Sequence, residues 1–277
     1  MKIALAQLNP IVGDLQGNCK LVLDAAKQAA EAGAELLICP ELIVSGYPPK
    51  DLLLRNGFVI ACDAQVSRLA QELPPDLGVL IGHPTVAELP AKRFANAASL
   101  LYQGEVQQTI HKTLLPNYDV FDEHRYFRAA HGVEPIEFKG TRLGVHICED
   151  AWWGTESTYY HEEPQRYPDP VQQLVSKGAE ILINLSASPF EKQKPYLRED
   201  LVRKHVLKHQ LPFLFVNQVG GNDDLVFDGR SFVMNREGKI SAELVPFESC
   251  IEYVESSELK ARRLVKSATT NRNYSTP

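Results

Sequence analysis

Apolar positions along this chain fall in short runs parted by polar, glycine-rich or proline-rich connections, and the runs switch between two periods. Met1-Lys-Ile-Ala-Leu-Ala-Gln-Leu-Asn-Pro10 carries a short apolar run broken by Gln7, Asn9 and Pro10, and reads as a first strand. From Leu21 to Ala32 the residues Val22, Ala25, Ala26 and Ala29 recur at helical spacing, with Gly17-Asn18 as a start and Gly33 as a stop. Leu36-Leu-Ile-Cys39 follows with no polar interruption, which is the composition of a strand covered on both faces. Strand, helix and strand make a β-α-β unit with Glu41 at its outgoing end.

The same order returns downstream. Val171 to Lys177 reads as a helix, Gly178-Ala-Glu180 as its stop, Ile181-Leu-Ile183 as a strand and Asn184-Leu-Ser-Ala-Ser-Pro189 as the loop beyond. Its junction nearly copies Gly33-Ala-Glu35-Leu-Leu-Ile38. An internal duplication and convergence of short helix-to-strand junctions account for the copy equally well. Between the two units, Gly78 to Gly82 reads as a buried strand, and Asn96 to Tyr102 with Glu105 to Ile110 as a hairpin turning at Gln103-Gly104. Leu197 to His209 reads as a helix before the strand Phe213 to Val216, and Arg230 to Asn235 with Lys239 to Leu244 as a second hairpin. Helices alternating with buried strands predict an α/β fold. No linker rich in Gly, Ser or Pro precedes residue 266, so one domain over residues 1–265 is expected, followed by a polar tail over 266–277.

Composition narrows the classes. With 277 residues, 44% of them hydrophobic, the chain can bury a sizeable core. Its 29 basic and 35 acidic residues leave a formal charge of -6, and no basic cluster exceeds pairs such as Arg262-Arg263, which argues against a nucleic-acid partner. The first ten residues are too polar for a secretory leader, and no apolar run reaches the roughly 18 residues of a membrane helix, so a cytoplasmic protein is expected. Five scattered cysteines without a Cys-x-x-Cys pair predict neither a disulfide framework nor a metal site.

One cysteine stands apart. Cys148 ends the strand-like run Arg142-Leu-Gly-Val-His-Ile-Cys148 and enters the turn Glu149-Asp-Ala-Trp-Trp153. Amide hydrolysis needs a nucleophile that sheds a proton, a stabilised oxyanion and a proton donor for the leaving amine. Cys148 can attack, Glu41 can carry the proton, and Lys112, held cationic between carboxylates, can lower the thiol pKa and face the oxyanion beside the Glu149 backbone N–H. Glu123 can orient Lys112 or position the hydrolytic water. A cysteine–histidine pair is the competing chemistry. His146 shares the face of Cys148 if the strand is regular, but residues two apart stand about 6–7 Å from each other along a strand. His83, His111, His124 and His131 have no supporting motif, so the histidines are read as structural.

Pro40-Glu41, His111-Lys112-Thr-Leu-Leu-Pro116 and Ile147-Cys148-Glu149-Asp150, in that order, resemble the nitrilase or carbon–nitrogen hydrolase superfamily. Ser45-Gly-Tyr-Pro-Pro-Lys-Asp-Leu52, Tyr118-Asp-Val-Phe-Asp-Glu123, Asn184 to Phe190 and Val219 to Gly229 are similar to the glutaminase domain of glutamine-dependent NAD synthetases. The resemblance covers residues 1 to about 255. It implies a four-layer α-β-β-α sandwich with Glu41, Lys112 and Cys148 catalytic, Glu123 supporting, and L-glutamine bound by Tyr118, Phe121, Glu149, Ser188 and Lys194. Lys194 then pairs with the substrate α-carboxylate, Glu149 with its α-ammonium, and Tyr118 walls the methylenes. It also implies a homo-oligomer, no cofactor for glutamine hydrolysis, and an ammonia-accepting synthetase domain that uses ATP and deamido-NAD. No phosphate-binding loop of that synthetase occurs in this sequence, so the synthetase domain is expected to be absent from this chain. The alternatives are a free-standing amidase for another small ω-amide, or a non-catalytic scaffold.

Overall fold

Ile3 and Leu5 face one core while Ala4 and Ala6, the residues between them, face another. The computed structural model behind this assignment describes residues 1–87, 94–155, 158, 160, 163, 166–257 and 259. Strand β1 (Lys2–Gln7) therefore has two apolar sides, and β2 (Leu36–Ile38) and β3 (Gly78–Val86) divide in the same way, with Leu36, Ile38 and Leu80 on one side and Leu37, Val79 and Ile81 on the other. Period-two geometry sends alternate side chains to opposite faces, so an uninterrupted apolar run marks a strand covered twice.

The first sheet runs β14-β1-β2-β3-β4-β5, with β4 at Phe94–Tyr102, β5 at Glu105–His111 and β14 at Cys250–Glu255. The second runs β13-β12-β9-β8-β7-β6, from β6 (Ile136–Phe138), β7 (Thr141–Ile147), β8 (Ile181–Ser186) and β9 (Phe213–Asn217) to β12 (Phe232–Met234) and β13 (Ile240–Glu243). A small hairpin, β10 (Val219–Asn222) and β11 (Leu225–Asp228), sits apart. Helices α1 (Leu15–Glu31) and α2 (Phe58–Glu72) cover the outer face of the first sheet. Helices α3 (Pro170–Ser176) and α4 (Lys194–His209) cover that of the second. The inner faces share a core that includes Ile3, Ile38, Leu80, Val145, Ile183 and Val216. The result is the expected α-β-β-α sandwich.

The two Gly-Ala-Glu junctions make equivalent bonds. Gly33 and Gly178 both adopt positive φ, and the next N–H, of Ala34 or Ala179, returns to the helix carbonyl of Ala29 or Leu174. Glu35 donates its N–H to the Lys2 carbonyl and accepts the Lys2 N–H on its carboxylate. Glu180 does the same with Arg142. Each glutamate thus locks its strand to the preceding parallel one, β1 to β2 and β7 to β8. This repeated clamp favours duplication over chance convergence.

Elsewhere the elements depart from the sequence pattern. Helix α1 begins at Leu15, where the Asp14 carboxylate accepts the Gly17 N–H. Strand β8 runs on through Asn184 to Ser186, past the point where a loop was expected, because both neighbours continue the ladder: His146 and Ile147 on one side, Phe215 to Asn217 on the other. Helix α4 starts earlier, at Lys194. The expected tail over 266–277, the Arg262-Arg263 pair and the domain end at 265 lie outside the described residues. Among those described, no helix is long and apolar enough to cross a membrane, and no group of three metal-ligating side chains is placed to hold an ion.

Gly82 on β3 backs directly onto the segment that carries Glu41. A Cβ there would stand 2.3 Å from the Leu42 nitrogen and 2.7 Å from the Pro40 carbonyl oxygen, both backbone atoms. Gly82→Ala is therefore expected to lose about 1–3 kcal/mol of stability in urea unfolding. Gly221→Ala, whose Cβ would meet nothing closer than 3.5 Å, is expected to stay within about 0.5 kcal/mol. Equal losses for the two would contradict the close approach.

Candidate active site

Glu41 leaves the carboxyl end of β2, Cys148 that of β7 and Ala187 that of β8, so strand ends from both sheets converge on one place. At its centre lies Lys112, just past β5, with 1% of its surface exposed. Its ammonium donates to Glu41 Oε1 at 2.8 Å and to Glu123 Oε1 at 2.9 Å. Burial alone would favour the neutral amine, but Glu123 and Glu41 outweigh it and hold the pKa well above its ordinary value. Loss of either partner of such a pair strands a buried charge, at a cost of about 3–5 kcal/mol.

Glu41 is completely buried and its oxygens are both engaged. Oε1 accepts the Asn96 amide at 2.7 Å as well as Lys112, and Oε2 accepts the Ala187 backbone N–H at 3.0 Å. Glu123 Oε1 also accepts the Tyr47 hydroxyl at 2.9 Å, whereas its Oε2 is buried with no hydrogen-bond partner among the described residues. Burial pushes the Glu123 carboxyl up to about 7, against the pull of Lys112. A cavity of about 210 Å³ lies against Glu123, lined by Tyr47, Phe121, Tyr126, Phe127 and Leu225 among others.

Cys148 has φ of 41°, a left-handed conformation that a non-glycine residue adopts only under strain. The consequence is geometric. In a regular strand Cys148 would share the face of His146, which packs on Phe213 beneath the outer helices. The left-handed turn instead brings the thiol into the core between the sheets, beside Lys112 and Glu41. His146 bonds to the Gly144 carbonyl and takes no part. His83 bonds to Ser99 and faces Asp63 at 3.8 Å, equally remote in role.

Asp150 sets the spacing between the Cys148 turn and the Lys112 segment. Its Oδ2 accepts the Ile147 N–H, and its Oδ1 accepts those of Thr113 and Leu114, the residues after Lys112. The turn from Cys148 to Trp152 is thereby tied to the end of β5. Asn184 adds an amide donated to the Cys148 carbonyl at 3.3 Å.

The candidate substrate residues divide. Tyr118 donates to Glu149 Oε1 at 2.8 Å, and its ring meets that of Phe121 edge to face at 5.7 Å. Glu149 is buried next to the thiol, and burial pushes its carboxyl up to about 7 despite the Tyr118 bond. Lys194 lies with its ammonium 4.7 Å from the centre of the Trp152 ring. Ser188 is close to Glu41, one residue past Ala187, but its hydroxyl already accepts from Arg198 at 3.0 Å. Arg198 is itself buried, paired with Asp228 at 2.7 Å, and donates to the carbonyls of Ser188 and Pro189. Asn217 completes this frame by accepting the Ser188 N–H.

Sequence reasoning found Glu41, Lys112, Glu123, Cys148, Glu149 and Tyr118 in one region. It missed Tyr47, Asn96, Asp150, Arg198, Asn217 and Asp228. Only Asp150, inside the Cys-Glu-Asp run, left a local signal. The Lys112 ammonium pulls the thiol pKa down, as expected, but the net shift is upward. Burial, then Glu41, with Glu149 and Glu123 adding to them, outweighs the ammonium and pushes Cys148 up, so the resting side chain is a thiol.

Comparison with known proteins supplies independent information. The family described as Carbon-nitrogen hydrolase matches residues 2–261. The chain is 42% identical over 275 residues to a glutamine-dependent NAD(+) synthetase of Synechocystis sp., covering 95% of this chain and 48% of that protein. It is 35% identical over 245 residues to one of Thermotoga maritima, covering 87% and 39%. The chain thus spans less than half the length of these relatives. Among solved structures, a glutamine-dependent NAD+ synthetase from Acinetobacter baumannii superposes with a TM-score of 0.78 at 32% identity, over 93% of this chain and 46% of that one. An amidase from Nesterenkonia sp. shares the fold, with a TM-score of 0.75 at 24% identity over 92% and 89% of the two chains.

The raised thiol pKa sets a pH dependence. A thiol whose ionisation lies above the ordinary value is protonated throughout the neutral range, so its thiolate fraction grows about tenfold per pH unit there. Alkylation of Cys148 by iodoacetamide is expected to accelerate with that slope from pH 6.5 to 8.5, followed by intact-protein mass spectrometry. A rate that levels off below pH 7 would reveal a preformed thiolate and contradict the assignment.

Proposed function

The chain belongs to the carbon–nitrogen hydrolase family, and on that premise we propose that it is the glutaminase portion of a glutamine-dependent NAD synthetase. In this reading it hydrolyses L-glutamine to glutamate and ammonia through a Cys148 thioester, and a synthetase domain consumes the ammonia. The observation that carries the proposal is the buried Lys112 ammonium, bonded to Glu41 and Glu123 beside a strained, protonated cysteine.

The geometry supports the following steps. As Cys148 Sγ attacks the side-chain amide carbon, Glu41 takes the thiol proton, which a resting thiol requires of a neighbouring base. Charge that develops on the amide oxygen meets the third N–H of Lys112 and the backbone N–H of Glu149 at the start of the turn. Collapse breaks the carbon–nitrogen bond, and Glu41 returns the proton to the departing amine, releasing ammonia and leaving a thioester. Water then adds to the thioester while Glu41 accepts its proton. The carbon–sulfur bond breaks, and the proton goes back to the sulfur. Glu123 keeps Lys112 in place throughout. The chemistry calls for no metal or organic cofactor, whereas ATP and deamido-NAD serve the synthetase domain.

Recognition rests on opposite charges at one mouth. Lys194 is matched to the α-carboxylate of an amino acid and Glu149 to its α-ammonium, whose approach would hold the Glu149 carboxyl ionised. The rings of Tyr118 and Phe121 wall the methylenes, and the Ser188 hydroxyl, accepting from Arg198, retains its own proton to donate. Ammonia supply to a partner domain and assembly into a homo-oligomer follow from the same reading.

Ammonia release from L-glutamine tests it. The parent protein is expected to turn glutamine over, Cys148→Ala to show none above background, and Glu41→Gln and Lys112→Met to lose about 10²–10⁴-fold in kcat. Turnover that persists at the parent rate in Cys148→Ala would overturn the proposal.

A further inference from the structure

We infer that Trp152 is a positioning residue, whose indole ring holds the Lys194 ammonium without neutralising it and so keeps that cation available to an anionic group on the substrate. This rests on the proposed binding role of Lys194 and adds to it the group that makes the role possible.

Helix α4 shows the contrast. Four of its cations meet carboxylates: Arg198 with Asp228, Arg203 with Glu199, Lys204 with Asp200 and Lys208 with Asp169. Lys194, the first residue of the helix and half-buried, instead lies over the Trp152 ring at 4.7 Å. A carboxylate partner would have to be displaced before a substrate anion could bind. The negative face of an indole attracts the ammonium by about 0.5–2 kcal/mol yet leaves its charge uncompensated. The positive end of the helix macrodipole lies at the same point and favours an incoming anion further.

Trp152 also fixes distance. It closes the short turn that starts at Cys148, and Asp150 within that turn is bonded to the segment after Lys112. The ring that seats the cation and the sulfur that attacks the amide therefore belong to one rigid five-residue unit. Lys194 is near enough for its charge to act on Glu149 in the same turn. Such a unit selects amides whose anionic group lies a set number of bonds from the scissile carbon.

The test compares kcat/KM for L-glutamine with that for 4-aminobutanamide, the same molecule without its carboxylate, in the full chain. The ratio cancels any loss of folded protein. Trp152→Leu is expected to lower this ratio about tenfold, mostly through KM for glutamine, Trp152→Phe to restore most of it, and Lys194→Met to lower it comparably. A ratio unchanged in Trp152→Leu while Lys194→Met lowers it would overturn the role of the indole and leave the glutaminase reading standing. A ratio unchanged in both would overturn the roles of Trp152 and Lys194 alike, and a parent protein inert toward glutamine would overturn the glutaminase reading with them.

Discussion

A single ammonium buried between two carboxylates organises this protein. Lys112 can remain charged in the interior only because Glu41 and Glu123 each accept one of its hydrogens, and those glutamates can remain there only because Lys112, Asn96, Tyr47 and the Ala187 N–H receive them. Desolvation penalises every member alone. Together they form a buried polar knot beside the thiol.

The two-sheet architecture exists, in functional terms, to bring that knot together. Glu41 comes from the first sheet and Ala187 from the second, 146 residues apart, yet they share a hydrogen bond. The junction between sheets is therefore also where Glu41 and the Cys148 thiol meet. Small devices hold it to tolerance: Gly82 lets β3 approach the Glu41 segment, Asp150 ties the cysteine turn to the end of β5, and Arg198 with Asp228 frames the Ser188 loop. The strain stored at Cys148 turns the sulfur from the helix side of its strand to the inter-sheet side. Under the proposed reaction, its high proton affinity makes a neighbouring base necessary.

Much of this was legible in the sequence. Continuous apolar runs reported strands covered on both faces, the repeated Gly-Ala-Glu stops located two helix-to-strand junctions, and Glu41 and Cys148 followed directly from their strand ends. Helix α2 was legible too, since Val59, Cys62, Val66 and Leu69 recur at helical spacing, but a reading anchored on glycine stops passes over it. Other features carry no local trace. Asn96 and Arg198 acquire meaning only from partners 55 and 30 residues away. The direction of the Cys148 pKa shift depends first on how completely the site is buried, a quantity that the single charge of Lys112, which pulls the other way, does not contain.

In the proposed reaction the buried knot activates one sulfur toward an electrophilic carbon held where a glutamine side chain would lie. Treatment with 6-diazo-5-oxo-L-norleucine, followed by peptide mass spectrometry, tests this most directly. A single stoichiometric adduct on Cys148 is expected, one that excess L-glutamine prevents and that fails to form in Lys112→Met. Labelling of another residue, or of Cys148 at a rate indifferent to both glutamine and Lys112, would contradict it.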